Sequence, residues 1–308
     1  MTVSVEDVRQ AAERIAGRVL RTPVIEVRPG LIFNLELLQH TGSFKPRGAF
    51  NRLLTAKENG ELTGQGIIAA SGGNHGLAAA YAARALGVPA RIFVPETTPA
   101  AKLGKLRTLD AEIVQVGSEY AEAYQAALHA QEESHALLVH AYDQPEVVAG
   151  QGTVGLELLE QVDGFDTVLV AVGGGGLIGG IATAIGDRAQ VVGVEPELAP
   201  TMHRALASDG PTDGPVAGVA ADSLGARRLG DHAFTSVQDH HVQSVLVTDD
   251  AIVAARKELW HDHHLATEHG GATAYAALIS GAYEPQAGER VVVVVCGANT
   301  DPGTLSLG

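Results

Sequence analysis

Short apolar runs alternate with segments of helical periodicity along most of the chain. Apolar residues from Val5 to Val19 recur at the spacing of one helix face, and Ser4 precedes them as a candidate N-cap. The same periodicity predicts further helices at 45–58, 74–87, 98–109, 119–134, 146–162, 176–186, 249–265 and 271–281. Apolar runs predict strands at 67–70, 90–94, 112–116, 136–140, 168–172, 191–194, 244–247 and 291–295.

Strands that are apolar on both faces and that alternate with helices indicate parallel sheets in an α/β fold. These strands are more numerous than one small sheet holds, so two domains with a cleft between them are predicted. The stretch 207–226 is rich in Gly, Pro and Asp, which predicts a long loop over the surface or the cleft.

Composition narrows the class of protein. The chain has 308 residues, 45% hydrophobic and 19% charged, so it can bury a substantial core. Its net charge of −15 argues against nucleic-acid and anionic-membrane partners, which attract clustered Lys and Arg. The single cysteine, Cys296, excludes an intrachain disulfide and a cysteine-rich zinc site. The first residues lack the order of a signal peptide, and glycines interrupt the uncharged run 167–186. A cytoplasmic protein is therefore expected.

The stretch 41–48, Thr-Gly-Ser-Phe-Lys-Pro-Arg-Gly, places Lys45 between an aromatic residue and a proline. The flanking glycines allow a tight turn or a close approach to another molecule. A lysine among apolar neighbours loses hydration, which favours the neutral, nucleophilic amine that imine formation with an aldehyde requires. Lys45 is a candidate nucleophile; the alternative is a surface turn with the amine in water.

A polar glycine turn, residues 71–76, directly follows the predicted strand 67–70. Strand-to-helix turns of this kind lie at the sheet edge where α/β proteins bind ligands. Asn74 can donate to a phenolate-like oxygen, and Ser71 and His75 can bind a carboxylate. In the alternative interpretation, Ser71 or Asn74 only caps the following helix.

Four glycines, Gly173 to Gly176, follow another predicted strand. Successive glycine amides at a helix start form a concave site for an anion such as a phosphate monoester. No lysine follows them as in a P-loop, and the Rossmann spacing is only loosely approximated. Close helix packing is one alternative, and a dinucleotide oxidoreductase is another that rests on this loop alone.

Cys296 follows the apolar strand 291–295, where a neutral thiol can make a weak hydrogen bond, although a cysteine there is more often inert. Taken in this order, the four features resemble the fold-type-II pyridoxal-phosphate enzymes, and among them the serine/threonine dehydratase family. The resemblance extends from Arg21 to Asn299.

The resemblance implies an architecture similar to the tryptophan synthase β-subunit, an α/β fold of two three-layer domains with mainly parallel sheets. A small domain, 61–141, would be inserted into a large cofactor-binding domain formed by 1–60 and 142–308. Homodimers or tetramers are also implied.

The resemblance further implies the site residues. Lys45 would hold pyridoxal 5′-phosphate as a Schiff base, and Phe44 would lie against the cofactor ring. The other implied cofactor contacts are Asn74 at the 3′-hydroxyl, Gly173, Gly174, Gly175 and Gly176 at the phosphate with Leu177 beside them, Cys296 facing the pyridine nitrogen, and Glu268 near the ring. The implied substrate-binding residues are Ser71, Gly72, Asn74 and His75.

The implied activity is β-elimination of water from L-threonine or L-serine, which gives ammonia and 2-oxobutanoate or pyruvate. Alternatives are a serine racemase, a 3-hydroxyaspartate dehydratase and a non-catalytic relic of the same fold. Gly72 stands where racemising relatives carry a serine, which predicts weak or absent racemisation.

The chain departs from the family pattern at two places. The segment 24–35 is shortened, with Asn34 where a lysine often stands, which is expected to alter packing or a subunit interface more than chemistry. At the family's divalent-ion site, Glu195 and the carbonyl of Ala199 match, but Thr201 replaces an aspartate. A monovalent ion or a water is then as consistent as Mg²⁺ or Ca²⁺, and Glu195 is alternatively an ordinary strand-end residue.

A histidine group at 261, 263 and 264 lies on the predicted helix 249–265. Adjacent helical residues point in different directions, so a solvated helix face is favoured over a metal site.

Overall fold

The computed structural model describes residues 2–208 and 210–305. The strands are β1 (Val24–Arg28), β2 (Leu31–Asn34), β3 (Ile67–Ala70), β4 (Ala90–Val94), β5 (Glu112–Gln115), β6 (Leu137–Leu138), β7 (Thr167–Ala171), β8 (Gln190–Pro196), β9 (Gln243–Val247) and β10 (Val291–Val294). The helices are α1 (Val5–Ile15), α2 (Pro46–Glu58), α3 (Asn74–Leu86), α4 (Ala100–Arg107), α5 (Tyr120–Ser134), α6 (Pro145–Gln161), α7 (Gly176–Ile185), α8 (Thr201–Ala207), α9 (Ala221–Leu224), α10 (Asp231–Asp239), α11 (Asp249–His261) and α12 (His269–Ile279).

The strands form two sheets, one of six strands in the order β1-β2-β10-β7-β8-β9 and one of four in the order β5-β4-β3-β6. All pairs are parallel except β1 with β2. Every residue of β7 and β10 is buried, because helices cover both faces of a parallel sheet. The predicted α/β fold with mainly parallel sheets is therefore confirmed, and the carboxyl ends of the parallel strands lie along one edge of each sheet.

The shortened segment 24–35 forms the antiparallel pair β1–β2 at one end of the six-stranded sheet. The sequence patterns did not predict this hairpin. Asn34 is fully buried there, and its side-chain amide donates to the Thr22 hydroxyl at 3.4 Å. The segment thus belongs to the edge of the larger sheet.

The helix predicted at 249–265 was too long. Helix α11 ends at His261, and His264 has a left-handed backbone with φ 57°, which no α-helix continues through. His263 instead contacts the ring of Phe33 edge-on, with 5.0 Å between ring centroids. The histidine group therefore lies partly beyond the helix end and is not one solvated helix face.

The stretch 207–226 is mostly irregular, as predicted, but includes the single helical turn α9. Two other helices in this half of the chain, α8 and α10, were missed by the sequence patterns. The N-cap predicted at Ser4 is present, with Asp7 completing a capping box.

Each sheet has its own apolar core. The four-stranded sheet is built from residues 67–138 and packs against Phe50 and Leu53 of α2. The division into 1–60, 61–141 and 142–308 stays a prediction, and its outer ends, residues 1 and 306–308, lie outside the described residues.

Helix α6 lies between α2 and α7 at very close range. A Cβ added at Gly150 would come within 2.6 Å of the carbonyl oxygen of Arg47 on α2. On its other side, a Cβ added at Gly152 would lie 2.7 Å from the carbonyl oxygen of Gly180 on α7. These are backbone-to-backbone contacts, which only glycine permits.

Within the described part of the chain, no helix is both long and apolar enough to cross a membrane.

Candidate active site

A cavity of about 480 Å³ lies at the carboxyl ends of the strands. Its lining contains the predicted cofactor residues Phe44, Lys45, Asn74, Gly173, Gly174, Gly175, Gly176, Leu177, Glu268 and Cys296, together with Tyr142, Ala171, Ser223, Leu224 and Gly270. The structure therefore brings together segments that are far apart in the sequence.

Lys45 stands at the start of α2, with Pro46 as the first helical residue. Its ammonium donates to the carbonyl of Ala141 at 2.8 Å and lies 5.1 Å from the centroid of the Phe44 ring. Burial lowers the pKa of Lys45 to about 8, although the nearby Cys296 and Glu268 act in the opposite direction. A larger neutral fraction makes this amine a better nucleophile and base near neutral pH.

The loop before Lys45 is held in an unusual backbone conformation. Thr41 and Gly42 are both left-handed, with φ 64° and 77°. The segment also pairs with the chain after β10, because Ser43 bridges Gly297 and the Phe44 amide donates to the Cys296 carbonyl at 3.3 Å. These contacts fix where Lys45 enters the cavity.

The glycine loop connects β7 to the first turn of α7. The carbonyl of Gly173 accepts from the Thr201 hydroxyl at 2.5 Å, and the carbonyl of Gly174 accepts from the Gly230 amide at 3.0 Å. With these carbonyls engaged elsewhere, the loop amides and the positive end of α7 are available to an anion. A Cβ added at Gly174 would lie 2.3 Å from the ring of Tyr142, so the loop has no room for side chains on that side.

Cys296 is buried at the end of β10, and its thiol lies 3.7 Å from the carbonyl of Gly270. Burial, reinforced by the nearby Glu268, raises the pKa of this thiol to about 12. Cys296 therefore offers a neutral sulfur, not a thiolate, to anything bound beside it.

Asn74, the first residue of α3, donates through its side-chain amide to Glu268 Oε1 at 2.6 Å. Burial raises the pKa of Glu268 to about 7. The close approach of Glu268 depends on Gly297, where a Cβ would lie 2.2 Å from the carboxylate oxygen.

A second cavity of about 330 Å³ shares Asn74 and Glu268 with the first. Two lysines of α4, a helix beside the four-stranded sheet, also line this cavity. Lys102 forms an ion pair with Asp222, and Lys105 donates to Asn299 Oδ1 at 3.1 Å. The other residues that line this cavity are Gly72, Gly73 and Leu77.

The proposed substrate-binding turn, residues 71–76, is only partly as expected. Gly72 and Asn74 line the second cavity, and Ser71 Oγ accepts from the Gly73 amide at 3.1 Å. The imidazole of His75 is bound elsewhere, because its Nε2 donates to the carbonyl of Val139 at 2.8 Å and burial lowers its pKa to about 3. Because the neutral His75 ring is bound to Val139, only the backbone amide of His75 is left to bind a carboxylate. Substrate binding by this turn stays a prediction.

Glu195 is buried at the end of β8, where its carboxylate accepts from the amides of Met202 and His203 at 2.7 and 2.8 Å. The Ala199 carbonyl accepts from the Thr201 amide at 3.2 Å. Among the described residues, no group of three or more His, Cys, Asp or Glu side chains is placed to hold a metal ion. A cation beside the glycine loop stays a prediction.

The family model described as "Pyridoxal-phosphate dependent enzyme" matches residues 15–297. The chain belongs to this family. It is 38% identical over 310 residues to an L-threonine ammonia-lyase of Geobacter sulfurreducens, covering 97% of this chain and 76% of that protein. It is 38% identical over 303 residues to a phenylserine dehydratase of Ralstonia pickettii, covering 95% and 92%. The structure of maize serine racemase superimposes with a TM-score of 0.91 at 33% identity, covering 99% of this chain and 96% of that one.

Membership of the pyridoxal-phosphate family confirms the predicted fold type and cofactor. The residues present fit that cofactor, because a cradle too narrow for a Cβ faces an amine of lowered pKa across one cavity. Lys45 would hold the aldehyde carbon, and the glycine loop would hold the phosphate. Asn74 would face the 3′-hydroxyl, and Cys296 would face the pyridine nitrogen.

Several lining residues have no signal in the sequence. Tyr142 lies in an irregular segment after β6, and Ser223 and Leu224 lie in the stretch predicted only as a loop over the surface or the cleft. Asn299, three residues after Cys296, entered the sequence analysis only as the end of the family resemblance, although its side chain contacts Asn74.

Proposed function

We propose that this chain is a pyridoxal-phosphate-dependent dehydratase that removes water from L-threonine or L-serine and releases ammonia with 2-oxobutanoate or pyruvate. The observation that carries the proposal is the buried amine of Lys45, whose pKa of about 8 suits both covalent attachment and proton transfer. The threonine ammonia-lyase of Geobacter sulfurreducens, which aligns with 97% of this chain, supports the substrate class.

Pyridoxal phosphate supplies an electron sink for the bond that breaks at the substrate Cα. The chain supplies the proton transfer, because the Lys45 amine is a base of suitable pKa inside the cavity. The loop from Gly173 to Gly176 and the start of α7 would bind the phosphate through backbone amides. The turn that precedes α3 would hold the substrate carboxylate in the same way.

The neutral thiol of Cys296 bears on the outcome of the reaction. A carboxylate at this position would hold a proton on the ring nitrogen and prolong the life of charge at Cα, whereas a thiol with a pKa of about 12 does not. This favours prompt loss of the β-hydroxyl over slower competing reactions such as transamination.

The proposal is tested by measuring 2-oxo acid release from a panel of 3-hydroxy amino acids that contains L-threonine, L-serine and 3-hydroxyaspartate. Lys45→Ala is expected to abolish turnover and the visible absorbance of covalently held cofactor. Lys57→Ala, which changes an exposed lysine of the same helix, is the matched control and should leave both unchanged. Full activity of Lys45→Ala would refute the assignment, and a protein that binds cofactor but turns over no substrate would be a relic.

An aryl-substituted substrate is a second candidate, because Tyr142, which lines the cavity, begins a row of aromatic rings. The rings of Tyr142 and His140 lie 4.7 Å apart, followed by Tyr124 at 5.8 Å from His140 and by Tyr120 stacked on Tyr124 at 6.0 Å. Stacked and edge-on aromatic contacts of this kind add to the burial of an aryl group. The phenylserine dehydratase of Ralstonia pickettii, 38% identical, supports this candidate.

The aryl candidate predicts a higher kcat/KM for 3-phenylserine than for L-threonine. Tyr124→Ala should lower the phenylserine value several-fold and leave the threonine value within about twofold. Equal effects on both substrates would count against an aryl subsite.

Racemisation is the weaker alternative. A Cβ added at Gly72 would lie 2.9 Å from the Thr98 side-chain methyl, so the serine that racemising relatives carry there has little room. Chiral chromatography of L-serine incubated with the enzyme should show loss of serine to pyruvate without accumulation of the D-enantiomer.

We also expect a homo-oligomer, a dimer or a tetramer, from the family resemblance. The single cysteine favours a cytoplasmic location. Light scattering of the purified protein measures the number of subunits directly.

A further inference from the structure

The side chain of Asn299 joins three segments that meet at the active site. Its Nδ2 donates to the Thr41 carbonyl at 2.7 Å and to Asn74 Oδ1 at 2.7 Å, and its Oδ1 accepts from Lys105 at 3.1 Å. One partner lies in the loop before Lys45, one begins α3, and one lies on α4. A single half-buried amide therefore links the lysine loop to two helices that pack on the four-stranded sheet.

The chemistry of its neighbours fixes which way this amide faces. A backbone carbonyl such as that of Thr41 can only accept a hydrogen bond, and a lysine ammonium such as that of Lys105 can only donate. Exchanging the oxygen and nitrogen of Asn299 would set two acceptors against each other at Thr41 and two donors at Lys105. The orientation with Nδ2 towards Thr41 and Asn74 is therefore the only one that satisfies all partners.

Asn299 in turn fixes Asn74. Because Asn299 presents a donor, Asn74 must present its oxygen to Asn299 and its nitrogen to Glu268, where the distance is 2.6 Å. An Nδ2 group carries two hydrogens, and the bond to Glu268 uses one. Since Asn74 and Glu268 both line the cofactor cavity, the second hydrogen is available to a ligand there.

The loop before Lys45 makes room for this arrangement. A Cβ added at Gly42 would lie 3.3 Å from Asn299 Oδ1, slightly tighter than an ordinary contact. The Thr41 carbonyl reaches Asn299 from a left-handed backbone, which is strained for a β-branched residue and persists only where neighbours hold it. The same amide that orients Asn74 also holds the start of the lysine loop.

We propose that Asn299 is a positioning residue that sets the side-chain amide of Asn74, so that Asn74 presents a donor and not its carbonyl to the ring oxygen of the cofactor. This rests on the proposed role of Asn74 and not on the identity of the amino acid that is turned over. A spectroscopic and binding readout therefore separates its failure from failure of the proposed activity.

Asn299→Asp, studied as the holoenzyme at pH 8, tests the proposal. The new carboxylate has the same shape as the amide and still accepts from Lys105, but it has no hydrogen to donate to Asn74. In one orientation of Asn74 two acceptor oxygens face each other at position 299, and in the other orientation they do so at Glu268. The expected result is a shifted absorbance maximum of the bound cofactor and a cofactor dissociation constant raised about tenfold, the effect of about 1.4 kcal/mol. Asn59→Asp, which adds the same charge at an exposed helix end, is the matched control and should change neither.

A double-mutant cycle distinguishes positioning from a purely structural role. If Asn299 acts mainly through Asn74, then Asn299→Asp should produce a much smaller change in cofactor affinity and absorbance in the Asn74→Ala background, where only the loss of the Thr41 contact remains. Additive losses, or an unchanged spectrum in the single variant, would overturn the proposal. Asn299→Ala removes all three contacts without adding charge, and it answers the same question in the same cycle if the Asp variant does not fold.

Discussion

Glu268 carries a testable consequence for stability, because its carboxyl group is buried beside Asn74 with a pKa raised to about 7 by loss of hydration. A carboxyl group whose pKa is higher in the folded chain binds its proton more tightly there than in the unfolded chain. Below its ordinary pKa of about 4.5 the group is neutral in both states, so its burial carries no charge and does not lower the free energy of unfolding. Above about pH 7 it is charged in both states, and folding bears the full cost of burying that charge.

The size of this cost follows from the interval between about 4.5 and about 7. At about 1.4 kcal/mol for each pKa unit, the folded chain loses about 3 kcal/mol across that range. Glu268→Gln removes the charge and keeps an oxygen that accepts from Asn74. We therefore expect the variant to match the parent at pH 4 and to be about 3 kcal/mol more stable at pH 8.

The assay is urea unfolding of the cofactor-free chain at several pH values between 4 and 8, with the free energy of unfolding compared between parent and variant. Glu132→Gln, which removes an exposed carboxyl group on α5, is the matched control and should show a small difference that does not change with pH. A pH-independent difference for Glu268→Gln, or one that favours the parent as the pH rises, would refute the reasoning.

Three further predictions concern the lysine and its surroundings. The Arg47 guanidinium pairs with the Glu36 carboxylate at 2.7 Å, and both side chains are fully buried. Arg47→Ala leaves that carboxylate buried without its cation, so the free energy of unfolding should fall by about 3–5 kcal/mol in urea titrations. Gly174→Ala should weaken cofactor binding at least tenfold by equilibrium dialysis, and adding Tyr142→Ala should recover much of that loss, because the new methyl group meets that ring. Acylation of Lys45 in the cofactor-free protein, followed by mass spectrometry across pH, should show a midpoint near pH 8 and not above 10.

The sequence predicted the parts of the site that follow from local structure. In a parallel sheet, a turn after a strand must lie at the carboxyl edge, so the glycine loop after β7, the Asn74 turn after β3 and Cys296 after β10 were each predicted at such an edge. Because β3 belongs to a different sheet from β7 and β10, only the family resemblance implied that the three meet at one cofactor. Lys45 does not directly follow a strand of this kind, and the family resemblance was needed to decide between a nucleophile and a surface turn. Its position depends on pairing between its own loop and the chain after β10.

The sequence could not predict contacts that depend on side-chain direction. His75 stands next to Asn74 in the chain, but on α3 the two side chains diverge, and the imidazole faces the carbonyl of Val139 on the strand side. Asn299 and Asn74 are 225 residues apart, and their contact requires both sheets to be in place. The hairpin β1–β2 was missed because the exposure of β1 does not alternate regularly along the strand.

The close contacts of α6 with α2 and α7 have a mechanical consequence. Lys45 immediately precedes α2, and the glycine loop leads into α7, so α6 acts as a spacer between the two ends of the cofactor cavity. Because its contacts at Gly150 and Gly152 are between backbones, the length of this spacer is set by main-chain dimensions and not by side-chain rotamers, which interconvert readily. The distance from the amine to the glycine loop is therefore set by backbone packing, and a methyl group added at Gly150 or Gly152 would push these helices apart.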